Sequence, residues 1–294
     1  MSLPLADLRR RIGRSPASLA GLGLIAFFGA VALLAPVLAP VGQGTRDAYL
    51  MPQDGYSPDP VPPGEGHPFG TTEQQYDLYY GIVWGTRTAF KVGACVVLLS
   101  LLVGVALGAL AGFYGGWLDE ALMRLTDVIL ALPGIVLAVV VVTVRGPGLE
   151  SVLLALALVS WPSYARLTRG DVLSVKGRDF VLAARALGAG DLRILLRHVL
   201  PNSVYPVLVV ASLDVGAVVL TAASLSFLGL GAPAGYADWG QLVAMSRNWI
   251  LGASGSPLAY WHTVVFPGAA IFLFVLGWNL LGDAFRDILD PRQR

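Results

Sequence analysis

Two lysines, three histidines and one cysteine are the side chains with which this 294-residue chain could grip a nucleotide, a metal or another thiol. A phosphate-cradling loop needs Gly-x-x-x-x-Gly-Lys-Ser/Thr, because the glycine backbone wraps the phosphates and the lysine reaches them. Lys91 sits between Phe90 and Val92, and Lys176 between Val175 and Gly177. Neither fits, so no ATP site of that kind is expected. His67, His198 and His262 are scattered with no Cys or His at ligand spacing, so neither metal nor cofactor is expected. Cys95 has no second cysteine to pair with inside the chain. Gly252-Ala253-Ser254-Gly255 has the Gly-x-Ser-Gly form of a serine nucleophile. Such a serine needs a histidine from a different span as its base. His262 precedes the same final span and His198 falls on the opposite side, so a Gly/Ser turn is the reading taken and an intramembrane serine protease is the alternative. Asp214 is the remaining candidate, one acid inside a long apolar run. A mid-bilayer carboxylate costs about 2.5–3.5 kcal/mol on insertion scales. It either lines a wet path through the chain or is a buried acid bonded to a neighbouring helix.

What must position these residues is a membrane bundle. The chain is 55% hydrophobic and 13% charged with a mean hydropathy of +0.68, about half the charge density of an ordinary soluble domain. Its net charge of +1 creates no field to attract nucleic acid. Backbone groups in hydrocarbon must be satisfied within a helix of about 20 apolar residues. Charge-poor stretches at 15–45, 92–118, 128–144, 151–165, 204–225 and 263–281 predict six spans, the fourth borrowing flanking residues. The first follows Arg9, Arg10, Arg11 and Arg14 like a signal peptide, but its apolar block is longer than a 7–15-residue h-region, roughly. It reads as a retained anchor. With the amino terminus inside, 15 of the 20 Lys and Arg fall in cytoplasmic segments, leaving Arg46, Arg87, Lys91, Arg145 and Arg247 outside. Both termini are therefore expected in the cytoplasm. The Pro- and Gly-rich outer stretch 41–84 reads as an irregular loop. Gly104, Gly108 and Gly112 form two Gly-x-x-x-Gly steps, read as a packing face for another span of the same chain rather than a dimer contact. No internal repeat of the secondary-carrier kind is visible, and a stand-alone carrier is a further alternative.

The segment 166–201 holds seven of those inner basic residues, more than a connector needs. Residues 180–187 are expected to form a short helix stopped at Gly188, in the left-handed conformation glycine tolerates. Asp191 is expected to cap a second helix, with Leu192, Leu195, Leu196 and Val199 on one apolar face. By periodicity alone this equally describes an interfacial helix anchored by arginines on membrane lipid.

Leu182-Ala183-Ala184, Gly188, His198 and Leu200-Pro201 resemble the Glu-Ala-Ala…Gly…Ile-x-Leu-Pro loop of ABC importer permeases, with Leu182 in place of the acid and His198 in place of the aliphatic residue. Further stretches resemble the C-type subunit of the dipeptide/oligopeptide/nickel permeases. They are Leu8-Arg9-Arg10-Arg11, Ala35-Pro36…Ala39-Pro40, Phe69-Gly70-Thr71…Asp77…Gly85-Thr86-Arg87, Gly115-Gly116-Trp117, Leu130-Ala131-Leu132-Pro133, Trp239-Gly240 and Asn279-Leu280-Leu281-Gly282-Asp283. Thr72, Gln75 and Tyr76 depart from that subunit, where Asp, Gly and Arg are usual. The resemblance implies an all-α membrane protein of six transmembrane helices. It would be a MetI-like, type I importer bundle in a prokaryotic plasma membrane, with residues 182–201 serving as the coupling helix. It divides the chain into a tail and first span (1–40), an outer loop (41–87) and a permease core (88–294) whose coupling loop is 166–201. It also implies a homologous second permease, two ATPase subunits that hydrolyse ATP in this chain's stead, and an extracytoplasmic solute-binding protein. The cargo would be a peptide or a related small solute.

Overall fold

The computed structural model describes residues 16–42, 47–57, 59–250, 256 and 258–289. Arg9, Arg10, Arg11, Arg14, Arg46, the Gly252–Gly255 turn with Ser254, and Asp290 through Arg294 lie outside them. Among the described residues the chain is helical, with extended backbone only in isolated bridges such as Leu50–Tyr236 and Thr71–Asp77. The long helices are α1 (Pro16–Leu38), α2 (Leu78–Tyr114), α3 (Gly116–Leu130), α4 (Gly134–Arg145) and α5 (Leu149–Lys176). Short pieces follow: α6 (Asp179–Ala186), α7 (Asp191–Ile194), a π-helical turn Leu195–Val199 and α8 (Leu200–Ser203). The chain then runs through α9 (Tyr205–Phe227), α10 (Trp239–Met245) and α11 (His262–Leu289).

Four helices, α1, α2, α9 and α11, are long and apolar enough to cross a membrane, and the bent pair α3/α4 makes five. The predicted third span, 128–144, is not one straight helix. Pro133 has no N–H to continue the ladder, and the chain turns by 88° between Leu130 and Gly134. At the predicted fourth span α5 runs for 28 residues, but Glu150, Arg166, Arg169, Asp171 and Lys176 hold down its hydropathy and it is not among those five, so the expected six spans are not all found. α2 begins well before the predicted second span, at Leu78, with Asp77 accepting the Tyr80 N–H as its N-cap (2.7 Å).

The most extensive contact is α2 against α5. A Cβ on Gly104 or Gly108 would overlap the α5 backbone between Trp161 and Ala165, and one on Gly112 would press on Arg169 O and Val172. The two Gly-x-x-x-Gly steps are thus an intrachain seam, as the sequence reading held. Close backbone approach here increases dispersion contact where no hydrophobic effect acts between helices. Elsewhere in the bundle, Phe28, Phe90, Trp239 and Phe274 join α1, α2, α10 and α11 in one group of tilted and edge-on aromatic contacts.

Prolines inside the helices create a hydrogen-bond debt that other elements settle. Pro36 cannot donate to Ala32 O, and Arg87 Nε of α2 donates to it instead (2.6 Å) while its guanidinium lies 5.0 Å from the Trp84 ring centroid. Pro267 likewise frees Thr263 O, which accepts from Ser246 Oγ at 2.6 Å.

Candidate functional site

The basic end of the bundle is built on paired charges. Arg169 of α5 makes a two-pronged pair with Asp119 of α3 (2.5 and 2.7 Å), Arg166 reaches Asp127 (2.6 Å), and Lys176 Nζ caps the end of α2 at Gly112 O (2.7 Å). These bonds hold the ends of α2, α3 and α5 together, and the segment 179–203 rests on that platform.

α6 spans 179–186, one residue earlier than the 180–187 expected, and ends as its sequence requires. Gly188 has φ = +81°. Its N–H bonds Arg185 O (3.0 Å), and the Ala189 N–H bonds Ala184 O (3.1 Å). That is a Schellman closure with Gly188 at its left-handed position. Nothing stands within 4 Å of where a Gly188 Cβ would point, so the backbone conformation alone selects glycine. Asp191 does not cap the second helix as expected: Gly190 occupies the cap position, Asp191 is the first helical residue, and its carboxylate lies 3.6 Å from Arg185.

The apolar stripe is also differently phased. Ile194, Leu195 and Val199 are buried, while Leu192 and Leu196 are exposed at 63% and 55%. The cause is the π turn, in which the Leu200 N–H bonds Leu195 O, five residues back. Pro201 has no N–H for the ordinary bond to Arg197 O, and the wider turn puts Ile194 and Val199 on one side. Those residues join Val181 and Ala184 of α6, Ala109 and Phe113 of α2, and Val172 and Val175 of α5 in a small separate core.

The residues named from the loop motif therefore divide. Ala184 is buried in this core, and Leu200 and His198 are half-buried. Leu182, Ala183, Gly188 and Pro201 face outward. With Phe180 (42% exposed) and Leu187 (89%), Leu182 and Ala183 form an apolar surface pointing away from the bundle. Phe180 and Leu187 were not singled out by the motif; an apolar residue flanking a glycine-stopped helix was the available signal. Asp214 lies apart from this loop, half-buried in α9, and accepts a 2.7 Å hydrogen bond from Tyr164 of α5, itself 1% exposed.

At the other end, Thr72 and Gln75 are buried and Tyr76 is half-buried. Gln75 holds φ = +61° and donates to Asp59 O (2.8 Å). Asp238, buried as the N-cap of α10, accepts from Gln241 N (2.8 Å), and its burial pushes the carboxyl above the usual carboxylate range. His262 is buried beside Gly70. Among the described residues no three His, Cys, Asp or Glu side chains converge as metal ligands.

Residues 104–294 match the family described as the binding-protein-dependent transport system inner membrane component, and residues 4–58 match the N-terminal transmembrane domain of oligopeptide transport permease C. The dipeptide transport system permease protein DppC of Alkalihalophilus pseudofirmus is 38% identical over 99% of this chain and 91% of its own length. The glutathione transport system permease protein GsiD of Pectobacterium atrosepticum is 42% identical over 83% of this chain and 80% of its own. In fold, a chain of the inward-facing MetNI methionine ABC transporter aligns with a TM-score of 0.57 at 17% identity, covering 72% of this chain and 97% of that one. The matched segment takes in the end of α2 with its glycine seam, α5, the glycine-stopped loop and α9, and the chain belongs to the binding-protein-dependent transport system inner membrane components.

Proposed function

We propose that this chain forms half of the translocation path of an ATP-driven importer of short peptides and takes its motion from an ATPase through residues 179–203. The carrying observation is the exposed apolar surface of Phe180, Leu182, Ala183 and Leu187, held away from the bundle by a Schellman turn and a core of its own. A lipid-anchoring helix would point its apolar face toward the membrane and its arginines away. Here the larger apolar side chains of α6 lie on the face opposite the bundle. The charge bias places this end and both termini in the cytoplasm, in a prokaryotic plasma membrane. The partners on this reading are a homologous second permease, two ATPase subunits seated on the loop, and a solute-binding protein at the other end. The peptide assignment rests on the dipeptide and glutathione permeases among the relatives.

The isolated subunit, purified in detergent, should bind no ATP, since Lys91 and Lys176 lie outside any phosphate-cradling sequence. With its partners co-expressed it should retain the ATPases through purification. A stoichiometric, Mg-dependent ATP site on the subunit alone would overturn the assignment. Asp214 is proposed to border the path, with Tyr164 orienting its carboxylate. Asp214→Asn should change uptake or its pH profile while the complex still assembles, and an unaltered profile would leave Asp214 a packing residue.

A further inference from the structure

At the basic end four cations of the α5–α7 region are engaged within the chain. Arg166, Arg169 and Arg185 face Asp127, Asp119 and Asp191, and Lys176 binds a helix carbonyl. Three charges there differ. Asp171 of α5, Arg178 at the N-terminal cap of α6 and Arg286 of α11 make no ion pair among the described residues, and the Asp171 Oδ2 atom is sealed from solvent without a hydrogen-bond partner. All three line one cavity of about 700 Å³ between the end of α5, the start of α9 and the end of α11, together with Ser174, Asn202 and Tyr205.

Cavities of about 300–1,000 Å³ with a few convergent polar groups are the usual size for small-molecule sites. A buried carboxylate oxygen with no donor is costly unless something supplies one. A guanidinium is a rigid fork matched to a carboxylate. The cavity wall thus carries one carboxylate and two guanidiniums that have no ion-pair partner among the described residues.

We propose that this cavity is a cargo site within the permease itself, binding a zwitterionic short peptide with its ammonium at Asp171 and its carboxylate at Arg178 and Arg286. The inference rests on the importer reading given above and adds to it a site where this subunit, not only the binding protein, discriminates cargo by its free ends. A phosphatidylethanolamine headgroup carries the same pair of charges, so the test must separate cargo from lipid.

The probe is Ser174→Cys, an exposed cavity-lining position, in a Cys95→Ser background. The complete complex is placed in phosphatidylcholine nanodiscs and the labelling rate of this subunit by a maleimide is followed. Alanyl-alanine should slow labelling several-fold, and acetyl-alanyl-alanine amide, which lacks both charges, should not. Asp171→Asn and Arg286→Gln should each abolish the protection, and Asn202→Cys should give the same result should Ser174→Cys fail to assemble. Equal rates with and without alanyl-alanine, or equal protection by the blocked peptide, would overturn the inference. Protection by phosphatidylethanolamine discs without peptide would also overturn it, in favour of a lipid site. Retention of the ATPases and their stimulation by loaded binding protein are measured on the same preparation. If those hold while protection is absent, the cavity assignment alone fails; if those fail, the importer reading fails and takes the cargo site with it.

Discussion

The end of the bundle where α2 begins and the segment 179–200 at the basic end are held by different forces. Where α2 begins, side chains are tied to main-chain carbonyls far away in sequence. Tyr80 Oη donates to Ala48 O (2.8 Å), Trp84 Nε1 to Ala39 O (3.0 Å), Arg87 Nε to Ala32 O (2.6 Å) and Thr88 Oγ1 to Ala237 O (2.8 Å). Trp239 Nε1 answers by donating to Ile82 O (3.1 Å). These bonds stitch α1, the 47–77 loop and the 228–245 segment onto three turns of one helix. At the basic end, among the described residues, no side-chain hydrogen bond joins residues 179–200 to the helices beneath; they sit on an apolar core. Directional bonds between many elements set one arrangement. An apolar seat stabilises without dictating direction, which suits the coupling role proposed for this segment. The contrast separates a part that is fixed to its neighbours from a part that, on the coupling proposed above, is pushed.

The largest effect should come from breaking the basic end at its turn. Gly188→Val puts a β-branched residue at φ = +81°, where a side chain costs about 1–2 kcal/mol and a branched one more. No neighbour is struck, so the strain unwinds the end of α6 rather than the bundle. Membrane insertion and abundance should stay near the parent's, whereas uptake in reconstituted vesicles should fall at least about tenfold, since a loss of 1.4 kcal/mol in seating is a factor of ten. ATPase retention or its stimulation should fall with it. Parent-like uptake and stimulation would show that this loop transmits nothing.

The tied end should respond in stability rather than in transport. Arg87→Leu leaves Ala32 O with neither its helical donor, removed by Pro36, nor its replacement. A buried acceptor left unsatisfied costs about 1–3 kcal/mol. The melting temperature of the detergent-solubilised complex should drop by several degrees. Pro36→Ala restores an N–H for Ala32 O, so Arg87→Leu should cost less in that background. An equal loss in both backgrounds would mean that Arg87 acts through the Trp84 ring or elsewhere, and that the proline debt is not what ties α1 to α2.

That asymmetry also explains what could be read from the residues alone. Span cores at α1, α9 and α11, the α2/α5 glycine seam and the Gly188 stop follow from composition and local stereochemistry, and each was legible. The bend at Pro133 was signalled by the proline but overridden by a hydropathy run that continues through it. The stripe through Leu192 and Leu196 was misassigned because a 3.6-residue period was applied across a π turn; Ile194 and Val199, five apart, carry the burial. The ties at the other end were invisible for a simpler reason. Their acceptors are carbonyls of Ala32, Leu38, Ala39 and Ala48, and a backbone acceptor leaves no trace in residue type.

The smallest effect concerns Gln75, which stands where the motif resemblance drawn from the sequence expects glycine. Its φ of +61° is a left-handed backbone, so the conformation glycine serves is kept although the residue is not. Compensation comes from the side chain, 4% exposed, whose amide donates to Asp59 O (2.8 Å) and accepts from Thr71 Oγ1 (3.3 Å). Gln75→Ala removes those bonds, worth roughly 0.5–1.5 kcal/mol, and keeps the backbone strain. Gln75→Gly removes the same bonds but relieves about 1–2 kcal/mol of left-handed strain, offset by about 0.5–1 kcal/mol of extra chain entropy in the unfolded state. The glycine variant should therefore melt close to the parent and the alanine variant measurably below both, with uptake unchanged in each. Should alanine melt at or above glycine, the strain at position 75 is not real, and the amide contacts alone account for the residue that stands there.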